Sequence, residues 1–257
     1  MTRFCSLFSS SSGNALYLEY KNTRLLIDCG VSCKKICEAL KGIDVSPSDI
    51  DGILVTHEHS DHISGIRVFS HNYKCGIYSG ERTLSSLPCE NLSAVESGRV
   101  FEIGDIEILP FDIPHDALQP FGYSFKFGNT KLSVATDMGK IDVNVAENIR
   151  GSDIVFIESN HDSEMLKTGP YPVYLKKRIT GTSGHLSNDQ CATLAAALAR
   201  TGTKQFILGH LSEINNTPEI AKKTVGDGLK NEGFKIGKDI LLDVAPKDST
   251  LKIYDIK

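Results

Sequence analysis

With 257 residues, 40% of them hydrophobic and 23% charged, the chain is long enough to bury a full core and too apolar to be disordered. A formal charge of −4 and a pI near 6.1 exclude a globally basic nucleic-acid binder, though not a local basic patch. No 18 apolar residues run together, which excludes a transmembrane helix and points away from a membrane partner.

Short apolar runs bounded by Gly, Asn, Asp or Pro alternate with helical patterns along the chain. Strands are expected at residues 3–8, 15–20 and 24–27, with residues 9–12 forming a serine-rich hairpin tip. A helix at 33–40, a strand at 53–55 and a helix at 63–70 follow. Strands at 106–112, 122–127 and 131–135 come next, the last two joined by a turn at Gly128-Asn129. The remainder reads as a helix at 143–149, a strand at 154–157, a helix at 187–201, a strand at 205–208 and a helix at 219–231. Ser187 and Gln190 have capping-box spacing, and Cys191, Leu194, Ala195 and Leu198 form the apolar stripe behind them. Hairpins early in each half, followed by strand–helix units, predict an α/β (α+β) fold of mixed sheets covered by helices, as a single domain over residues 1–257. The seven cysteines contain no CxxC pair, and the first residues carry no apolar signal segment. Free thiols in a reducing cytoplasm are expected.

The segment that decides the chemistry is Thr56-His57-Glu58-His59-Ser60-Asp61-His62, in a strand-to-helix loop. Residues two apart in extended backbone point the same way, so His57 and His59 can share one metal ion, while Asp61 and His62 suit a second. Imidazole and carboxylate donors fit zinc, manganese or iron. His115, Asp137 and His210 each follow the end of a predicted strand, where ligand crevices form in open α/β sheets.

This pattern, HxHxDH followed by His, Asp and His, resembles the metallo-β-lactamase superfamily. The resemblance implies an αββα sandwich and two divalent ions. His57, His59 and His115 would hold one ion, Asp61, His62 and His210 the other, and Asp137 would bridge them. It also makes Asp28, in Leu26-Ile27-Asp28-Cys29-Gly30, a support for the ligands. Two such ions activate a bridging water as hydroxide and clamp the attacked group, which favours ester or phosphoester hydrolysis.

His59 stands where oxygen-reducing members carry Glu, and Asp137 is absent from secreted β-lactamases. Glu158-Ser159-Asn160-His161-Asp162 and Gly184-His185-Leu186-Ser187 resemble the phosphodiesterase branch, in which a Glu orients a His that protonates the leaving group. Asp61, Glu158 and His185 are therefore the expected catalytic residues. His161 and the basic triplet Lys176, Lys177 and Arg178 are candidates for contact with a nucleic-acid substrate, DNA or RNA. Phe4-Cys5-Ser6-Leu7, Ser11-Ser12-Gly13-Asn14 and Gly169-Pro170-Tyr171-Pro172 are similar to signatures of the nuclease-like YycJ/WalJ-type group. The alternatives are a glyoxalase-II-like thioesterase, which uses the same seven ligands, and a metal-bearing binding module without activity.

Overall fold

The computed structural model describes residues 2–248 and 252–255. The strands are β1 (Thr2–Ser10), β2 (Gly13–Tyr20), β3 (Thr23–Ile27), β4 (Gly52–Leu54), β5 (Gly76–Ser79), β6 (Leu92–Ala94), β7 (Phe101–Ile103), β8 (Ile106–Asp112), β9 (Phe121–Phe127), β10 (Thr130–Ala135), β11 (Ile154–Glu158), β12 (Gln205–Gly209), β13 (Leu241–Val244) and β14 (Lys252–Asp255). The helices are α1 (Cys33–Gly42), α2 (Ser60–Ile63), α3 (Ile66–Tyr73), α4 (Glu81–Leu84), α5 (Val143–Ile149), α6 (Ser163–Thr168), α7 (Val173–Ile179), α8 (Asn188–Arg200) and α9 (Pro218–Asn231). One sheet has the order β14-β1-β2-β3-β4-β5-β6 and the other β13-β12-β11-β10-β9-β8-β7.

Two compact units make up the chain, one built mainly from residues up to Pro110 and one from Phe111–Asp116 and Gly122–Val244. In the N-terminal unit, β1, β2 and β3 form an antiparallel meander, after which β3, β4, β5 and β6 run parallel. Leu26, Ile53, Val55 and Ile77 pack with Ile36 and Leu40 of α1 and Phe69 of α3 in its core. The C-terminal unit repeats the scheme: β9 and β10 are antiparallel, and β10, β11, β12 and β13 are parallel. Val155, Ile157, Phe206 and Leu208 there bury against Cys191, Leu194 and Leu198 of α8 and Val225 of α9. Asp28, His57, Asp137, Glu158 and His210, all singled out by the motifs, lie at or just beyond the carboxyl ends of the parallel strands β3, β4, β10, β11 and β12.

The capping box of α8 is formed: Ser187 Oγ accepts from Gln190 N, and Gln190 Oε1 accepts from Ser187 N. The helix expected at 63–70 is instead two, α2 and α3, broken at Ser64-Gly65. Gly65 N donates to Cys29 O, and a Cβ there would lie 2.1 Å from Val31 O, so the chain must turn at a glycine to dock on that loop. Among the described residues no helix is long and apolar enough to cross a membrane.

Candidate metal centre

In the N-terminal unit the donors come from one loop, and a buried carboxylate sets their directions. Asp28 follows β3 with φ of 62°, a left-handed conformation that a non-glycine residue keeps only when its surroundings compel it. Its backbone N donates to Leu54 O (2.8 Å). Its side chain accepts three bonds: Thr56 N on Oδ1 (2.8 Å), and Thr56 Oγ1 (2.9 Å) and His62 Nδ1 (2.7 Å) on Oδ2. Since the Thr56 hydroxyl donates to Asp28, it accepts from His57 Nδ1 at 3.1 Å. Both imidazoles thus carry their proton on Nδ1, which directs the Nε2 lone pair outward as metal ligation requires. His57 and His59 lie edge to face with ring centroids 4.6 Å apart, and the His57 and His62 rings are 4.1 Å apart. Helix α2 then presents Asp61, whose Oδ2 is 3.3 Å from His62 Nε2. Gly30 is required beneath this loop, because a Cβ there would sit 1.7 Å from Asp61 O.

In the C-terminal unit the donors come from four separate strand ends. His115 follows β8, Asp137 follows β10 with φ of 60°, Glu158 ends β11, and His210 follows β12 with φ of 56°. Glu158 is wholly buried and fully bonded. Its Oε1 accepts from His185 Nδ1 (2.8 Å) and His210 Nδ1 (2.9 Å), and its Oε2 from Met138 N (2.9 Å) and Leu186 N (3.0 Å). Burial alone would push its carboxyl up, but the charges and hydrogen bonds of His185 and His210 override this and hold it well below the usual carboxylate range. His115 donates from Nδ1 to Gly184 O (3.2 Å), and burial pushes its imidazole down against the pull of Asp137, so it stays neutral. Asp137 Oδ1 stands 3.5 Å from His210 Nε2 and 3.8 Å from His115 Nε2.

A model of the β-lactamase superfamily domain matches residues 23–211. Over 255 residues the chain is 37% identical to the exodeoxyribonuclease YycJ of Bacillus anthracis, covering 96% of this chain and 97% of that one. It is 36% identical to the exodeoxyribonuclease WalJ of Streptococcus pneumoniae, covering 96% of each. The chain belongs to the metallo-β-lactamase-fold superfamily, in its YycJ/WalJ group. The crystal structure of the metallo-β-lactamase-fold protein YhfI from Bacillus subtilis superposes with a TM-score of 0.76 at 14% identity, over 99% of this chain and 100% of that one. The fold class is the one the motifs predicted, two mixed sheets flanked by helices.

Of the histidines that the motifs singled out, His57, His62, His115 and His210 have Nδ1 engaged by an oxygen, which leaves Nε2 facing outward. The other sequence candidates divide. His161 is buried, and its Nδ1 has no hydrogen-bond partner among the described residues. Burial pushes the imidazole down to about 4, with Glu158 pulling the other way. Of the basic triplet, Lys176 donates to Lys167 O (2.7 Å) and Gly169 O (2.8 Å), and Arg178 pairs with Asp116. Lys177 is the exposed member with no ion-pair partner among the described residues.

Several supporting residues escaped the sequence reading. Thr56 links Asp28 to His57, and Asn14 Nδ2 donates to Asp61 O (3.2 Å). Asn160 Nδ2 donates to the backbone oxygen of His210 (3.0 Å), securing its left-handed conformation, and Asn216 Nδ2 in turn bonds Ser159 O and Asn160 O. Asn14 and Asn160 lay inside motifs already noted, which was the available signal.

Proposed function

We propose that the chain is a DNA exonuclease with two divalent ions, zinc foremost and manganese or iron as alternatives. It is a metal-dependent hydrolase of the nuclease and phosphodiesterase type, acting on ester bonds. The relatives' activity on DNA supports the substrate class, and free thiols at all seven cysteines support work in a reducing cytoplasm.

The donor set fits the metals. His57, His62, His115 and His210 each have Nδ1 engaged by an oxygen that accepts, leaving the ligating lone pair on Nε2. With His59, Asp61 and Asp137 they are the seven side chains that would hold the pair. When bound, two such ions supply Lewis-acid activation of water and of the phosphate oxygens.

The observation that carries the reading is the sharing of Glu158 Oε1 between His210 and His185. One carboxylate orients a ligand and, beside it, an imidazole whose Nδ1 is fixed and whose side chain is 15% exposed. His185 then gives a proton from Nε2 to the departing sugar oxygen, and Glu158 stabilises the charge on the ring before transfer. Asp61 orients the attacking water and receives its proton, and His161 contacts the substrate.

The test is release of nucleotides from an end-labelled single strand by zinc- or manganese-loaded protein, with S-lactoylglutathione as the competing substrate. Metal-dependent shortening of the strand is expected. Turnover of the thioester with an intact strand would replace this reading by a thioesterase, and turnover of neither by a binding module.

A further inference from the structure

Helix α7 presents an aromatic and basic face to solvent. Its exposed positions include Val173, Tyr174, Lys177 and Arg178, with Tyr174 at 75% exposure. Lys177 and Arg178 follow Tyr174 at i+3 and i+4, so the three side chains lie together on one side of the helix.

The helix is held firmly from beneath. Lys176 Nζ clamps two carbonyls at the end of α6, and Pro172 fixes the entry to α7. Arg178 donates from two nitrogens to Asp116, at 2.6 and 3.0 Å, and Asp116 Oδ1 is 3.5 Å from Nε2 of the ligand His115. Two members of the basic triplet are therefore fastenings rather than loose charges. They tie α7 to the loop that carries a ligand. Tyr174 lies one turn away, about 6 Å along the axis from Arg178.

We propose that Tyr174 is a stacking platform for a base of single-stranded DNA, with Lys177 taking the adjoining phosphate. The inference rests on the nuclease reading above and adds the strand form that the enzyme grips. A flat ring held at three-quarters exposure on a fixed helix offers its face at little ordering cost. Only an unpaired, unstacked base can lay its own face against it. Lys177, exposed and without an ion-pair partner among the described residues, places a positive charge beside the ring, which suits a polyanion. Stacking also tolerates any base, as an enzyme that shortens a strand stepwise requires.

The test is fluorescence anisotropy of metal-loaded protein with a labelled phosphorothioate single strand that resists cleavage. Tyr174→Ala is expected to weaken Kd about tenfold, Tyr174→Phe to stay within about twofold, and a fully abasic strand to bind wild type and Tyr174→Ala alike. Equal affinity of wild type and Tyr174→Ala for the base-bearing strand, or an equal loss on the abasic strand, would overturn the platform. Hydrolysis of an unmodified strand by wild type is followed in parallel. Binding with these differences but without hydrolysis overturns the nuclease reading alone, and hydrolysis with no Tyr174 effect overturns the platform alone.

Discussion

Each unit of the molecule organises its donors around one buried carboxylate, and the two carboxylates do different work. Asp28 orients His62 directly and His57 through the Thr56 hydroxyl, all for coordination. Glu158 divides its Oε1 between His210, a proposed ligand, and His185, the proposed proton donor. On the function proposed above, the N-terminal arrangement would fix metal geometry, while the C-terminal one would couple it to a proton donor. If the proposed roles hold, binding metal and moving a proton are separable in this fold, and mutation should separate them.

Asp137→Ala should have the largest effect, because its carboxylate stands beside both His115 and His210 and would bridge the ions. Activity on DNA is expected to fall about 10³-fold or more, with metal content below that of wild type by elemental analysis. His185→Ala should slow DNA cleavage by about 10²–10⁴-fold, the usual contribution of a positioned acid. Bis(p-nitrophenyl) phosphate should be far less affected, since nitrophenolate leaves without a proton. Equal losses on both substrates would give His185 a role in binding or folding instead.

The two carboxylates can then be compared directly. Asp28→Asn and Glu158→Gln should each weaken metal affinity by about 10–100-fold, measured by competition with a chelator. Only Glu158→Gln should also lower the ratio of DNA to nitrophenyl activity. If Asp28→Asn lowered that ratio equally, the division of labour between the units would be lost.

A smaller effect belongs to His161. Its imidazole is pushed down to about 4 by burial, below the 6.5 of an unfolded chain, so the folded protein holds it neutral. As pH falls from 6.5 to 4 the unfolded chain takes up that proton first, and stability drains away. At pH 5 the loss is roughly 2 kcal/mol, and none remains above pH 7. Wild type should therefore lose more stability than His161→Gln between pH 7 and pH 5 in urea unfolding. Parallel curves would contradict this.

The candidate ligands stood out in the sequence because His115, Asp137 and His210 follow strands and the other four fall within one six-residue span. The α8 capping box was legible because it is local. What escaped was short or long-range. β5, β6 and β7 have only three or four residues each, too few for alternation to declare itself. The helices α6 and α7, six and seven residues long, are interrupted by Gly169-Pro170-Tyr171-Pro172 and leave no clear stripe. Ser9 and Ser10, expected at a hairpin tip, are buried within β1, and the turn itself is Ser11-Ser12. The Glu158 pairing was legible for His185 through family resemblance, but its sharing with His210, 52 residues away, is a property of adjacent parallel strands. Tyr174 carried no motif, and its exposure is decided by packing alone.

The most direct test of the separation is the metal content of His185→Ala. Donor atoms of Asp137, Glu158, His185 and His210 lie within 4.8 Å of one another, close enough for His185 itself to be a ligand. The hydrogen bonds do not separate His185 from His210, since each imidazole gives its Nδ1 proton to Glu158 Oε1; the proposed function takes His210 as the ligand and His185 as the proton donor. Elemental analysis of fully loaded protein should give about two ions per chain for wild type and His185→Ala alike, and fewer for His210→Ala. Loss of an ion from His185→Ala would make His185 a ligand and contradict the assignment of Glu158 and His185 to proton transfer.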